Sequence, residues 1–222
     1  MQFFPGILDQ ALAWPLGLLS AVLLLSALPA LGLVGREPAR LHLLLGSAVG
    51  LAVLWLIRAR VDPGLGLHVL GVTTVTMILG WRLALVATAL AQLAVTLVSL
   101  HGAPEPAALA AGWLVSGALP ATVTYGIARA ARFHLPRNLF IYLFVCCFFG
   151  SAAAVTATWL AGISLLGLSG VPGPTAAGDP VMAFLPLVMF PEAFINGALL
   201  TLLAVYRPDW LRLFDEHWYL DR

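Results

Sequence analysis

The sequence predicts an all-α, polytopic membrane bundle of about seven transmembrane helices. Three observations carry this expectation. The 222 residues are 61% hydrophobic and only 9% charged, whereas soluble domains carry about 25% charged residues; so few charges cannot clothe a water-facing surface. The apolar residues come in runs close to the roughly 20 needed to cross a bilayer as a helix. Short polar connections separate these runs, and they hold the arginines, the chain having no lysine.

The opening MQFFPGILDQ contains Pro5, Gly6 and Asp9 and reads as an ordered lead-in. It lacks the basic start of a cleaved signal peptide. The first span is expected over residues 11–34, with Pro15 and Pro29, which membrane helices tolerate. The polar stretch 35–40 leads to a second span at 41–57. Residues 58–64 form a loop before a third, unusually polar span at 65–79, which carries His68, Thr73, Thr74 and Thr76. A tight turn at Gly80-Trp81-Arg82 precedes the fourth span, 83–100. A fifth follows at 108–127, after a loop containing His101. Residues 128–138 make the most basic connection. The sixth span is 139–166, a Gly/Pro-rich loop fills 167–180, and the seventh span is 181–206. Residues 1–206 thus read as one transmembrane domain.

Seven crossings place the termini on opposite sides. Nine arginines fall on one side, in the segments containing Arg36, Arg82, Arg132 and the tail, and two, Arg58 and Arg60, on the other. Positive charge accumulates on the cytoplasmic side, so the N-terminus is expected outside and the C-terminus in the cytoplasm. The tail, 207–222, mixes Trp210, Phe214, Trp218 and Tyr219 with Arg212, Asp215 and Glu216. It suits a short amphipathic cytoplasmic segment on the interface, either an anchor or a docking surface.

The net charge of +1 and the absence of any basic run exclude a nucleic-acid partner. Cys146 and Cys147 are adjacent in an apolar run and read as small buried residues. No HExxH, GxSxG or Gly-rich phosphate loop is present, so an enzyme is not expected. Any ATP-driven process needs a partner.

Ionisable groups inside a bilayer are costly and mark candidate sites. Two stand out. His68 lies near the outer end of the third span, and its imidazole suits a transition metal. The outward N-terminal amine and His101 are the nearest candidate partners; His42 and His134 lie toward the opposite face. Glu192 lies well inside the seventh span, just after Pro191. Asn196, four residues on, shares its helix face. This polar intramembrane pair suits either a cation or polar ligand, or hydrogen bonds that tie the bundle together.

The stretch GLHVLGVTTVTMILGWRLALVATALAQLAVTL (66–97) resembles the substrate-binding membrane component of cobalt and nickel energy-coupling-factor transporters, the CbiM/NikM type. Residues 185–211, with Glu192-Ala193 where the family favours Glu-Gly, resemble its closing helix. MQFFPGIL resembles its opening Met-His-Ile-Pro-Asp/Glu-Gly-Phe-Leu. The resemblance implies a permease of an ABC transporter in the bacterial inner membrane that captures a divalent transition-metal ion, with no intrinsic cofactor. It implies a metal site of the Met1 amine, the Gln2 backbone nitrogen and the His68 imidazole. It implies as partners a transmembrane coupling subunit and two cytoplasmic ATPases, besides membrane lipid. The family's second residue is histidine, and here Gln2 removes one imidazole. Three readings stay open: a different substrate, a site completed by His101 or Asp9, or a member that no longer binds metal. The alternative function is a non-transporting accessory or assembly subunit of a larger membrane complex that reuses this fold.

Overall fold

The computed structural model of the chain describes residues 2–3, 6–35, 37–57, 59–61, 65–99, 105–170 and 180–219. Within them six helices are long and apolar enough to cross a membrane, and the protein is a multi-pass helical bundle. They are α1 (Ala13–Val34), α2 (Pro38–Leu56), α4 (Trp81–Val98), α5 (Pro106–His134), α6 (Ile141–Leu168) and α7 (Pro180–Tyr206). Their outward residues are apolar, as Trp14, Leu18, Leu25, Phe190 and Phe194 show. Hydrocarbon solvent requires this.

The third crossing differs from the expectation. Only Val72–Leu79 is helical (α3), a rod of eight residues and about 12 Å. The residues before it are extended: β3 (Leu65–Leu67) pairs antiparallel with β2 (Ala59–Val61) on one side and β1 (Gln2–Phe3) on the other. The reason lies in the sequence. Gly66 weakens any helix, and Gly71 adopts a left-handed conformation at φ +66°. A side chain there would be strained and would also meet Leu54 Cδ2 at 3.0 Å.

The connection expected at 128–138 is corrected as well, because α5 continues to His134. Alanine and arginine are good helix formers, so apolarity stops before the helix does. α5 also contains a π-helical segment, Leu114–Ala118. Pro120, just beyond it, lacks the N–H that a regular turn needs. Thr158 of α6 donates its hydroxyl to the Val115 carbonyl inside this segment at 3.0 Å.

The main core lies between α1–α5, around Trp55, Leu70, Val72, Leu79, Leu85 and Trp113. A second core gathers Met77, Tyr142, Cys146, Cys147 and Leu200 with Leu211, Phe214 and Tyr219 of the tail. The tail folds back through a short 3-10 turn, Pro208–Trp210, and a last helical turn, α8 (Glu216–Tyr219). Its backbone meets the far end of α3: Leu213 N donates to Met77 O at 3.1 Å, and Arg212 N to Ile78 O at 3.3 Å. β1 lies beside the strand that enters α3, whereas the tail lies at α3's other end. Residues 2–3 and the tail thus approach α3 from its two opposite ends.

Candidate functional site

A helix begins with backbone N–H groups that have no partner in their own chain segment. In α3 those groups are deep in the bundle, and its N-cap, Gly71, has no side chain to satisfy them. Two side chains of α7 do so instead. The Glu192 carboxyl accepts from Leu70 N at 2.6 Å through Oε2 and from Gly71 N at 2.8 Å through Oε1. Asn196 Oδ1 accepts from Thr74 N at 2.9 Å and from the Thr74 hydroxyl at 2.7 Å. Asn196 Nδ2 in turn donates to Glu192 Oε1 at 2.8 Å and to the Glu192 carbonyl at 2.8 Å.

Glu192 and Asn196 are both fully buried, 2% and 0% exposed. The amides of Leu70 and Gly71 and the Asn196 side chain all donate to the carboxyl, which suits an acceptor placed at a helix N-terminus. The four-residue spacing seen in the sequence is what lets the pair reach the Leu70, Gly71 and Thr74 amides around the start of α3. Ser151 of α6 braces the pair by donating to the Glu192 carbonyl at 3.3 Å.

The segment held in this way carries His68. Its side chain is 7% exposed, and its ring lies 5.2 Å from that of Trp55 at 38°. His68 Nδ1 is 3.2 Å from the Val69 carbonyl oxygen. Trp55, on α2, donates its indole N–H to the Leu70 carbonyl at 2.9 Å. The peptide at Leu70 is thus gripped through its N–H by α7 and through its C=O by α2.

β1 brings the chain's beginning to the same place. Gln2 lies opposite Gly66 and Phe3 opposite Leu65, so the Gln2 backbone is paired two residues from His68. Further along, Gly6 N donates to Glu105 Oε2 at 2.6 Å at the head of α5, and Asp9 N to Ser169 Oγ at 3.2 Å beside the end of α6. Met1, the side chain of Gln2 and His101 lie outside the described residues. The Asp9 carboxylate accepts from Ala11 N at 2.9 Å and caps the short 3-10 turn Gln10–Leu12. Among the described residues, no three of His, Cys, Asp and Glu gather to hold a metal ion.

The structure therefore joins two features that the sequence presented separately. His68 and Glu192 belong to one unit, linked through the Leu70 and Gly71 amides. Sequence reasoning missed the role of Trp55 and Thr74. The signal for Thr74 was the polarity of residues 73–76; Trp55 gave none beyond its size.

The family profile of CbiM, described as the cobalt uptake substrate-specific transmembrane region, matches residues 3–210. No curated protein matches the chain. Two solved structures resemble it. One, a transition metal transporter, is 20% identical with a TM-score of 0.72, over 92% of this chain and 93% of that one. The other, a truncated transition metal transporter, is 20% identical with a TM-score of 0.73, over 93% and 99%. At this identity the likeness concerns the fold. The profile covers nearly the whole chain, which therefore belongs to the CbiM family of cobalt uptake substrate-specific transmembrane regions, as a membrane component of metal uptake and not an enzyme.

Proposed function

We propose that the chain is the substrate-binding permease subunit of an energy-coupling-factor ABC transporter for a divalent transition-metal ion such as cobalt or nickel. The observation that carries this reading is the β1–β3 pairing. It sets the Gln2 backbone beside the strand that leads into His68, which is the neighbourhood a site made from the Met1 amine, the Gln2 nitrogen and the His68 imidazole requires. Neutral nitrogen donors of this kind suit cobalt and nickel. The metal is cargo, and the sequence carries no ATP-binding motif of its own. Movement across the membrane falls to a coupling subunit and cytoplasmic ATPases. The arginine distribution supports an outward N-terminus, from which the site would load, in a bacterial inner membrane.

Titration calorimetry of the purified protein with Co²⁺ and Ni²⁺ tests this, with His68→Ala as control. Saturable heat in the parent protein and its loss in the variant support the reading; identical heats for the two sink it.

Gln2 favours a second reading. The family's imidazole is replaced here by a neutral amide, which suits an accessory subunit that assembles with a larger membrane complex without carrying metal. Affinity purification from native membranes separates the two. Recovery of ATPases supports transport, and recovery of an unrelated complex supports assembly.

A further inference from the structure

We propose that Glu192, supported by Asn196, is the positioning residue of the cargo site. Through it the geometry around His68 depends on where α7 stands relative to α3. The inference rests on the reading of His68 as a metal ligand.

One continuous stretch of chain holds both ends of α3. At the N-terminal end, Glu192 and Asn196 accept from Leu70, Gly71 and Thr74. At the other end, Arg212 N and Leu213 N donate to Ile78 and Met77. A helix of eight residues held at both ends moves with whatever holds it, and the segment carrying His68 is continuous with it. Trp55 adds an opposing grip from α2 on the Leu70 carbonyl. A displacement of α7 against α2 therefore pulls on the two faces of the Leu70 peptide from different sides, two residues from the His68 imidazole.

Two features give α7 room to move. Pro186 and Pro191 interrupt its backbone ladder ahead of Glu192, and proline is the usual cause of helix bending. A cavity of about 850 Å³ separates α2 from α7. Gly50 and Leu54 of α2, Ile195 and Leu199 of α7, and Gly71 and Thr74 at the start of α3 line it.

Glu192→Gln gives the direct test. It keeps the shape of the side chain but turns an NH₂ toward one of the two backbone N–H groups. Three quantities are read on the full chain in lipid nanodiscs: Co²⁺ affinity, the visible absorption of bound Co²⁺ at saturation, and amide hydrogen exchange over residues 69–74 without metal. The expected result is at least tenfold weaker binding, a changed Co²⁺ spectrum at saturation, and at least tenfold faster exchange confined to residues 69–74. A merely structural loss would lower the amount of metal bound without changing the spectrum of what binds. Asn196→Ala is expected to change all three in the same direction, by about threefold in affinity and exchange. Parent values of affinity, spectrum and exchange in Glu192→Gln overturn the proposal. If Glu192→Gln does not fold, parent values in Asn196→Ala overturn it. If the parent protein binds no Co²⁺, the metal reading fails by itself, and exchange alone then decides whether Glu192 holds the segment.

Discussion

The indole N–H of Trp55 donates to the carbonyl of Leu70 at 2.9 Å, across 15 residues of sequence, with both side chains buried. The same indole ring lies against His68. One side chain of α2 thus fixes both the backbone and the imidazole of the candidate site.

Trp55→Phe keeps most of the apolar volume and removes the donor. The Leu70 carbonyl is then buried without this partner, at a cost of about 1–3 kcal/mol. The expected result is a lower unfolding temperature in detergent and weaker Co²⁺ binding. Thermal unfolding and calorimetry on the same sample check it.

Gly117 lies within the π-helical segment of α5, against α4. A Cβ there would fall 2.8 Å from Thr88 Cβ and Oγ1. Thr88 cannot easily yield, because its hydroxyl accepts from Trp113 Nε1 at 3.1 Å. Gly117→Ala is expected to destabilise the bundle by about 1–3 kcal/mol, the usual cost of overpacking. Gly46→Ala on α2 is the control, since nothing lies within 4 Å of the added carbon. Its unfolding temperature should stay at or slightly above that of the parent protein.

The tail makes its own electrostatic contacts. Trp218 has the Arg137 guanidinium 3.8 Å from its ring centroid and that of Arg132 at 4.9 Å. Arg132 also pairs with Asp215 at 3.2 Å. Cation–π contacts contribute about 0.5–1 kcal/mol each at exposed sites. Trp218→Ala should therefore loosen the tail without unfolding the bundle. Limited proteolysis after residue 207 is expected to speed up several-fold, while the melting of the long helices is unchanged.

Burial pushes the Tyr219 hydroxyl up to about 12, whereas an unfolded tyrosine titrates near about 10. The folded tail thus keeps a proton that the released tail gives up. Its contribution to stability is fully present below about pH 10 and is lost as the pH rises through 12. Release of the tail in that window, followed by proteolysis and phenolate absorbance, is the expected outcome. Tyr219→Phe should remove this pH dependence.

The long apolar runs announced α2, α4, α6 and α7 to within three residues at each end, because hydrocarbon length and helix rise fix how many residues a span needs. The third crossing was legible only as a polar anomaly. Hydropathy marks residues 65–79 as able to lie in the membrane, but it does not distinguish a helix from an extended lead into a short helix. The distinction turns on who satisfies the amides of Leu70, Gly71 and Thr74, and their partners lie about 122 residues downstream. Glu192 and Asn196 were visible as a pair sharing one face, since four-residue spacing is local information. That they face α3 was not visible, because a helix's angular setting in a bundle depends on all its neighbours. Trp55 carries no local signal of its role, because where its indole N–H points depends on how α2 is set against the Leu70 carbonyl.

The distance along the chain between Leu70 and Glu192 also sets the order in which this protein is made. At a synthesis rate of about 5–20 residues per second, the 122 intervening residues take on the order of 6–24 s to appear. Throughout that interval the segment carrying His68 has left the ribosome without the acceptor that holds it. α7 is thus inserted after the segment whose amides it satisfies, and a chain that stops short of residue 192 lacks both acceptors of this grip, whatever the state of the helices before it.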